Sequence, residues 1–231
     1  MYDRPLEYAE TRTQLGTFLA KVYGWMSMGL VLTAAVAMGV ANSESMLRLI
    51  FGNRAVLIGL IIGELLLVIV LSAAIQRIPA ALASLMFLLY AGLNGLTLSV
   101  IFLLYTRHSI ATTFFVTGGT FGAMSLYGYF TKRDLTSLGN LAFMLLIGVI
   151  IGSVVNFFFA STMLYWIITY VGIAVFVGLT AYDTQRIKRI GLGLTEDGAT
   201  MQKAAVLGAL RLYLDFINLF LLLLRLLGRR R

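Results

Sequence analysis

The chain has no cysteine in its 231 residues. Disulfides, thiolate catalysis and cysteine metal sites are therefore excluded. Histidine is nearly absent too: His108 stands alone in a short polar stretch, which makes no metal site and leaves a serine nucleophile without a plausible base. Charge is scarce. Only 12% of residues are Asp, Glu, Lys or Arg, about half the roughly 25% of a soluble domain. With 60% hydrophobic residues, this is the composition of an integral membrane protein. A phosphate-binding glycine loop is also missing, since Gly191-Leu-Gly193 follows no strand. The net charge of +8 does not imply nucleic acid, because most Lys and Arg lie between apolar runs, where they set topology.

The sequence does contain seven apolar runs, roughly 22–41, 55–75, 80–105, 110–130, 140–160, 164–186 and 204–227. Each is near or above the ~20 residues a helix needs to cross ~30 Å of hydrocarbon. The first contains a small-x-small pair, Ala35 and Ala37, but is too long for a signal-peptide core of roughly 7–15 residues and reads as a retained helix. Connections such as Ile75–Pro79, Tyr105–Ser109, Phe130–Asp134 and Ala160–Met163 are short, and the longest loop runs from Arg189 to Gln202. The pattern predicts an all-α integral membrane protein, a seven-transmembrane-helix bundle. It has a cytoplasmic N-terminal tail (1–21), a membrane domain (22–227) and a basic C-terminal tail (228–231). Three glycine pairs at four-residue spacing, Gly59/Gly63, Gly118/Gly122 and Gly148/Gly152, are expected to bring helices of the one chain together.

Orientation follows from counting Lys and Arg. With the N-terminus inside, ten fall on the cytoplasmic side and three (Arg48, Arg54, Arg107) in the opposite loops, which places the N-terminus in the cytoplasm. The C-terminal Arg225, Arg229, Arg230 and Arg231 join the outside if the seventh segment crosses fully, and the inside if it is re-entrant.

Acidic residues within apolar segments are the natural functional candidates, because a mid-helix carboxylate costs about 2.5–3.5 kcal/mol even on a lenient insertion scale. There are three. Asp183 lies in GLTAYDTQRI, Asp215 in LYLDFINLFLLLLR, and Glu64 in IIGELLLV with nothing basic within a turn. Arg211, Asp215 and Asn218 are spaced for one helix face, and the competing reading is that Arg211 and Asp215 neutralise each other merely for insertion. Asp183 has Arg186 one turn on and can also be read as an interfacial residue snorkelling to water. Counting from the segment ends puts Asp183 about 7 Å and Asp215 about 15 Å deep, a difference that tilted antiparallel neighbours can close. Two close carboxylates titrate as a coupled pair, and their oxygens suit Ca²⁺. Glu64 reads as a path-lining residue, Asn94 and Asn156 as interhelical hydrogen-bonding groups.

The motifs AYDTQRI and LYLDFINLF, with the KRDLTSLGN loop at 132–140, resemble the Bax inhibitor-1 family (transmembrane Bax inhibitor motif proteins), and specifically its bacterial members. The likeness covers almost the whole chain. It implies a seven-helix bundle with the last helix near the centre and a pH-sensitive calcium leak. In that resemblance Asp183 and Asp215 match the di-aspartyl pH sensor and Glu64 the acidic residue of the second helix. The family's second helix can carry an arginine that latches the sixth-helix aspartate. Here the matching position is Ile75, so Arg77 and Arg211 are the candidate carboxylate partners. The resemblance also implies a full crossing by the seventh segment and a bacterial inner-membrane location.

Three other functions compete with the leak. An intramembrane aspartyl protease would share Tyr182-Asp183 but needs Gly-x-Gly before its second aspartate, where this chain has Leu212-Tyr213-Leu214. A retinal pump would need a mid-helix lysine in the seventh segment, and Lys203 is at its edge. A membrane interaction protein, modulating a protease or a stress or cell-death response without conducting ions, is compatible with every residue. The expectation is a non-enzymatic membrane protein without cofactor, with Ca²⁺ and protons as cargo and signal, and with lipid and possible membrane-protein partners.

Overall fold

The computed structural model describes residues 4–194 and 198–230, with side chains from residue 13 onward. Asp3 of the tail, residues 195–197 of the predicted loop and Arg231 lie outside the described residues, as do the side chains of Arg4, Glu7, Glu10 and Arg12. The helices are α1 (Arg4–Ala41), α2 (Glu44–Phe51), α3 (Arg54–Ala74), α4 (Ala80–Leu98), α5 (Ile101–Leu104), α6 (Arg107–Phe130), α7 (Thr136–Phe159), α8 (Thr162–Leu192) and α9 (Gly198–Leu227). The protein is an all-α membrane bundle.

Among the described residues six stretches are long and apolar enough to cross a bilayer: Thr13–Ala41, Arg54–Ala74, Ala80–Leu104, Thr136–Phe159, Thr162–Leu192 and Gly198–Leu227. The remaining predicted segment is α6, 24 residues long and long enough to span, but less apolar. Ser109, Thr113, Thr117, Phe121, Ser125 and Gly128 are its buried residues, spaced three and four apart on one helical face. Its hydroxyls therefore point inward while Phe115, Leu126 and Phe130 are exposed.

Helix ends differ from the sequence reading where local polarity hid them. Leu15 and Phe18 are buried in an α1 that begins well before residue 22. The loop expected over 189–202 is short, because α8 continues to Leu192 and α9 starts at Gly198. His108 lies in the first turn of α6, which Thr106 caps by accepting from the Ser109 N–H at 3.2 Å. The short amphipathic α2, capped by Ser43 and carrying an exposed Glu44–Arg48 pair, was missed because eight residues cannot show a spanning run.

The chain forms two compact units, 1–104 with 188–213, and 105–187 with 214–230. In the first, α1 packs along α4, where Gly95 abuts α1: a Cβ there would stand 2.7 Å from the Thr33 carbonyl oxygen. At one end of this unit Gln202 donates to Ser84 at 3.1 Å and Lys203 to the Gln76 carbonyl at 3.3 Å. In the second unit, Ala142, Val175, Phe176, Leu179, Leu219, Leu222 and Leu223 form a core joining α7, α8 and α9. The tail turns back on α6: Thr106 donates its N–H to the Arg229 carbonyl at 3.2 Å, and the Arg229 N–H donates to Ser109 Oγ at 3.0 Å.

That contact bears on the seventh segment. Helix α9 is unbroken over 30 residues, about 45 Å at 1.5 Å per residue, with no turn at which to re-enter. Its tail rests on the 105–109 connection.

The glycine pairs do not do what their spacing suggested. Gly59, Gly63, Gly118, Gly122 and Gly148 have nothing within 4 Å of an added Cβ, and Gly152 makes only ordinary contact with Ile168 at 3.5 Å. Spacing gives a shared face but not which face, and these face outward. The close approaches are made at Gly95, Gly128, Gly139 and Gly172 instead.

Candidate functional site

The AYDTQRI stretch reads, residue by residue, as a set of contacts in the second unit. Ala181 lies against α6 at Gly128, where an added Cβ would collide with the Ala181 carbonyl. The Tyr182 ring covers Gly139 of α7, with ring atoms 2.5–2.7 Å from where a Cβ would stand. Thr184 Oγ1 reaches Ser125 Oγ at 3.4 Å. Gln185 accepts from the Leu135 N–H at 2.9 Å and donates to the Arg133 carbonyl at 2.8 Å, fastening the KRDL turn to α8. Arg186 is exposed, whereas Ile187 is buried. Asp183 is held in the middle of these contacts and is buried. That burial weighs against a carboxylate snorkelling to water.

Asp215 is the more deeply buried of the two, at 4% exposure against 9% for Asp183. Phe216, its neighbour, is clamped by Phe114 and Phe121 of α6 in edge-on contacts with centroids at 5.4 and 5.5 Å. Arg211, Leu214 and Asn218 lie on the less buried stripe of α9, and Asn218 donates to the Leu214 carbonyl at 2.8 Å within its own helix. The polar stripe drawn from spacing is thus split, with Asp215 turned to the buried face.

The two aspartates lie on helices that share one core. Leu179 and Leu219 belong to the same core cluster, and the short link between α8 and α9 makes them antiparallel neighbours. Gly172 of α8 lies against Leu222 of α9, where an added Cβ would stand 2.9 Å from the leucine side chain. None of Asp183, Asp215 and Arg211 is without an interaction partner. Arg77, the other latch candidate, is exposed in the turn after α3, its N–H bonded to the Ala74 carbonyl at 2.8 Å.

Glu64 belongs to the first unit and to a different network. Asn94 Nδ2 donates to one carboxyl oxygen at 3.2 Å and Thr97 Oγ1 to the other at 3.0 Å. The Tyr213 hydroxyl donates to Asn94 Oδ1 at 3.1 Å and meets Thr33 Oγ1 at 2.7 Å. Thr33 lies 2.8 Å from the Ala91 carbonyl and 2.9 Å from that of Gly29. Four helices, α1, α3, α4 and α9, are thereby tied through one chain of polar groups. Asn94 bonds between helices as expected. Asn156 does not: among the described residues its buried Oδ1 finds no hydrogen-bond partner.

Among the described residues no three His, Cys, Asp or Glu side chains gather as a metal cluster. Two carboxylates fall short of the 6–8 oxygens of a resident Ca²⁺ site.

The sequence profile described as "Inhibitor of apoptosis-promoting Bax1" matches residues 15–231. The chain belongs to the Bax inhibitor-1 family. It is 56% identical to the "Inner membrane protein YbhL" of Escherichia coli (strain K12), over 100% of this chain and 99% of that protein. A Borreliella burgdorferi protein is 46% identical, covering 93% of this chain and 92% of its own. A membrane protein of Streptococcus pyogenes serotype M3 is 39% identical over 96% of both. In this member of the Bax inhibitor-1 family, sequence reasoning found the carboxylates. It missed Tyr213, Thr33 and Gln185, whose uncharged side chains gave no signal in an apolar run.

Proposed function

We propose that this Bax inhibitor-1 family protein is a pH-sensitive calcium leak of seven crossing helices in the bacterial inner membrane. The observation that carries the reading is the burial of an aspartate on each of the last two helices, Asp215 lying in a stretch of α9 that is 72% buried against 6–33% for the other spans. A helix so enclosed fits the centre of a bundle, with α6, hydroxyl face inward, as the seventh crossing. A relative named as an inner membrane protein fits the location, and the excess of Lys and Arg fits a cytoplasmic N-terminus.

Mechanistically, two carboxylates that meet share protons, because two adjacent negative charges in low dielectric repel strongly. Ionised, Asp183 and Asp215 present oxygens to a passing Ca²⁺; protonated, they do not. Ca²⁺ is cargo, met by two carboxylates and water rather than held in a complete cage. Arg211, one turn from Asp215 on the same helix, competes with the ion, and Arg77 is the second candidate competitor. Glu64 acts through the Asn94–Tyr213 chain on the helix that carries Asp215, two residues beyond Tyr213. No enzymatic step is assigned to these residues.

The test is Ca²⁺ influx into liposomes holding the purified protein, from pH 5 to 8, for wild type, Asp183→Asn and Asp215→Asn. The leak reading expects flux above empty liposomes and a pH profile flattened by either carboxamide. No flux above empty liposomes would sink it and leave the role of a membrane interaction protein.

A further inference from the structure

One end of the second unit collects positive charge. Arg225 stacks over the Tyr165 ring, its guanidinium carbon 4.7 Å from the centroid. Arg230 donates to the hydroxyl of the same tyrosine at 3.4 Å. Arg229 is exposed, and its backbone is bonded to Thr106 and Ser109, beside exposed Arg107. The partner holding Arg225 and Arg230 is a neutral phenol, which orients a guanidinium without cancelling its charge. Carboxylates do not supply the balance within this unit: Asp183 and Asp215 are buried, and Asp134 sits in the turn tied to Gln185, near the far ends of α6 and α8.

Beside this charge lies an apolar shelf. Phe157, Phe158 and Phe159 end α7 at 82%, 75% and 77% exposure, and Met163 opens α8 at 74%. Trp166 stands next to Tyr165 at 5.4 Å between ring centroids and stacks on Tyr170 at 5.9 Å. Aromatic side chains at a helix end mark the headgroup level of a bilayer. Fixed guanidinium groups bordering exposed rings match a molecule with a phosphate at one end and hydrocarbon at the other.

We propose that Arg225 and Arg230, held on Tyr165, together with exposed Arg229, form a binding surface for the headgroup phosphate of an anionic phospholipid, its acyl chains lying along Phe157–Phe159 and Met163. A soluble anion would use the arginines but leave the shelf bare. The inference is independent of ion conduction.

The test is native mass spectrometry of the full chain in detergent, titrated with phosphatidylglycerol or phosphatidylcholine of matched acyl chains. Phosphatidylglycerol is expected to bind at least tenfold tighter. Each arginine near a membrane surface contributes about fivefold in affinity, so Arg225→Gln with Arg230→Gln should weaken phosphatidylglycerol binding roughly 25-fold and weaken binding of phosphatidylcholine, whose phosphate is balanced by its own ammonium, far less. Arg229→Gln, whose side chain is exposed, keeps the test alive if the double variant misfolds, with about a fivefold loss. Arg77→Gln should change nothing. Equal binding of the two lipids, or full displacement by millimolar inorganic phosphate, would overturn the proposal.

Discussion

Replacing Gly128 by alanine should separate two helices that glycine alone lets touch. A Cβ at position 128 would collide with the Ala181 carbonyl oxygen and stand 2.9 and 3.0 Å from its carbonyl carbon and Cα. These are backbone atoms of α8 and cannot rotate away, so relief requires the helices themselves to move. Overpacking costs typically 1–3 kcal/mol, and the upper half applies where no side chain can yield. Alanine recovers about 1 kcal/mol of helix propensity over glycine, leaving a net loss of roughly 1–2 kcal/mol. At this chain length that lowers the melting temperature by roughly 2–8 °C. The companion substitution is Gly118→Ala, where a Cβ meets nothing within 4 Å and the same propensity gain goes unopposed, up to about 1 kcal/mol of stabilisation. Thermal unfolding of both variants in one detergent gives the comparison. Because Ala181 precedes Asp183 by two residues, Gly128→Ala should also alter the flux profile, while Gly118→Ala should not. If Gly118→Ala destabilises and Gly128→Ala does not, the glycine spacing rather than the observed contact governs packing, and the account of this interface is wrong.

Three further outcomes are expected. Tyr213→Phe keeps the ring against Phe87 and Tyr90, with centroids at 5.8 and 5.7 Å, but strips Asn94 Oδ1 of its donor. Interhelical hydrogen bonds in membranes average about 0.6 kcal/mol and reach about 1.7, so a melting-temperature loss of a few degrees is expected, and an unchanged value would show the network to be idle. Gln185→Leu removes both bonds to the 133–135 backbone, a cost of about 1–3 kcal/mol. Trypsin should then cut at Lys132 or Arg133 faster than in wild type, and an equal rate would count against the fastening role. Ala160 ends α7 at φ 49°, where an L-residue is strained by about 1–2 kcal/mol. Ala160→Gly should therefore raise stability by up to about 1 kcal/mol after the entropy of glycine is subtracted, measured by the same unfolding assay.

Much of the bundle was legible because hydropathy and charge are one-dimensional signals. Six spanning helices, the short connections and three carboxylates within apolar helices could be read without coordinates. Contact faces could not. Gly59/Gly63 and Gly128 are equally small, and only the direction each faces separates an open surface from a helix crossing. Gln185 illustrates a second limit: its two bonds go to backbone groups about 50 residues away, and backbone partners leave no trace in residue identity. Arg211, Asp215 and Asn218 show a third. A common face drawn from spacing spans enough arc that one residue can be buried while its neighbours lie at its edge.

The inward hydroxyls of α6 have a consequence for how the protein is made. A helix whose polar face is satisfied by later elements is exposed to lipid before they arrive. Ser125 is 59 residues ahead of its partner Thr184, and Phe121 precedes Phe216, which packs on it, by still more. During synthesis some of this face is quiet, since Thr117 bonds the Thr113 carbonyl of its own helix at 2.7 Å. The remainder depends on α8 and α9 joining it within the membrane. The late helices that bear both aspartates are therefore also what commits the middle of the chain to its place, so biogenesis and the candidate site draw on the same residues.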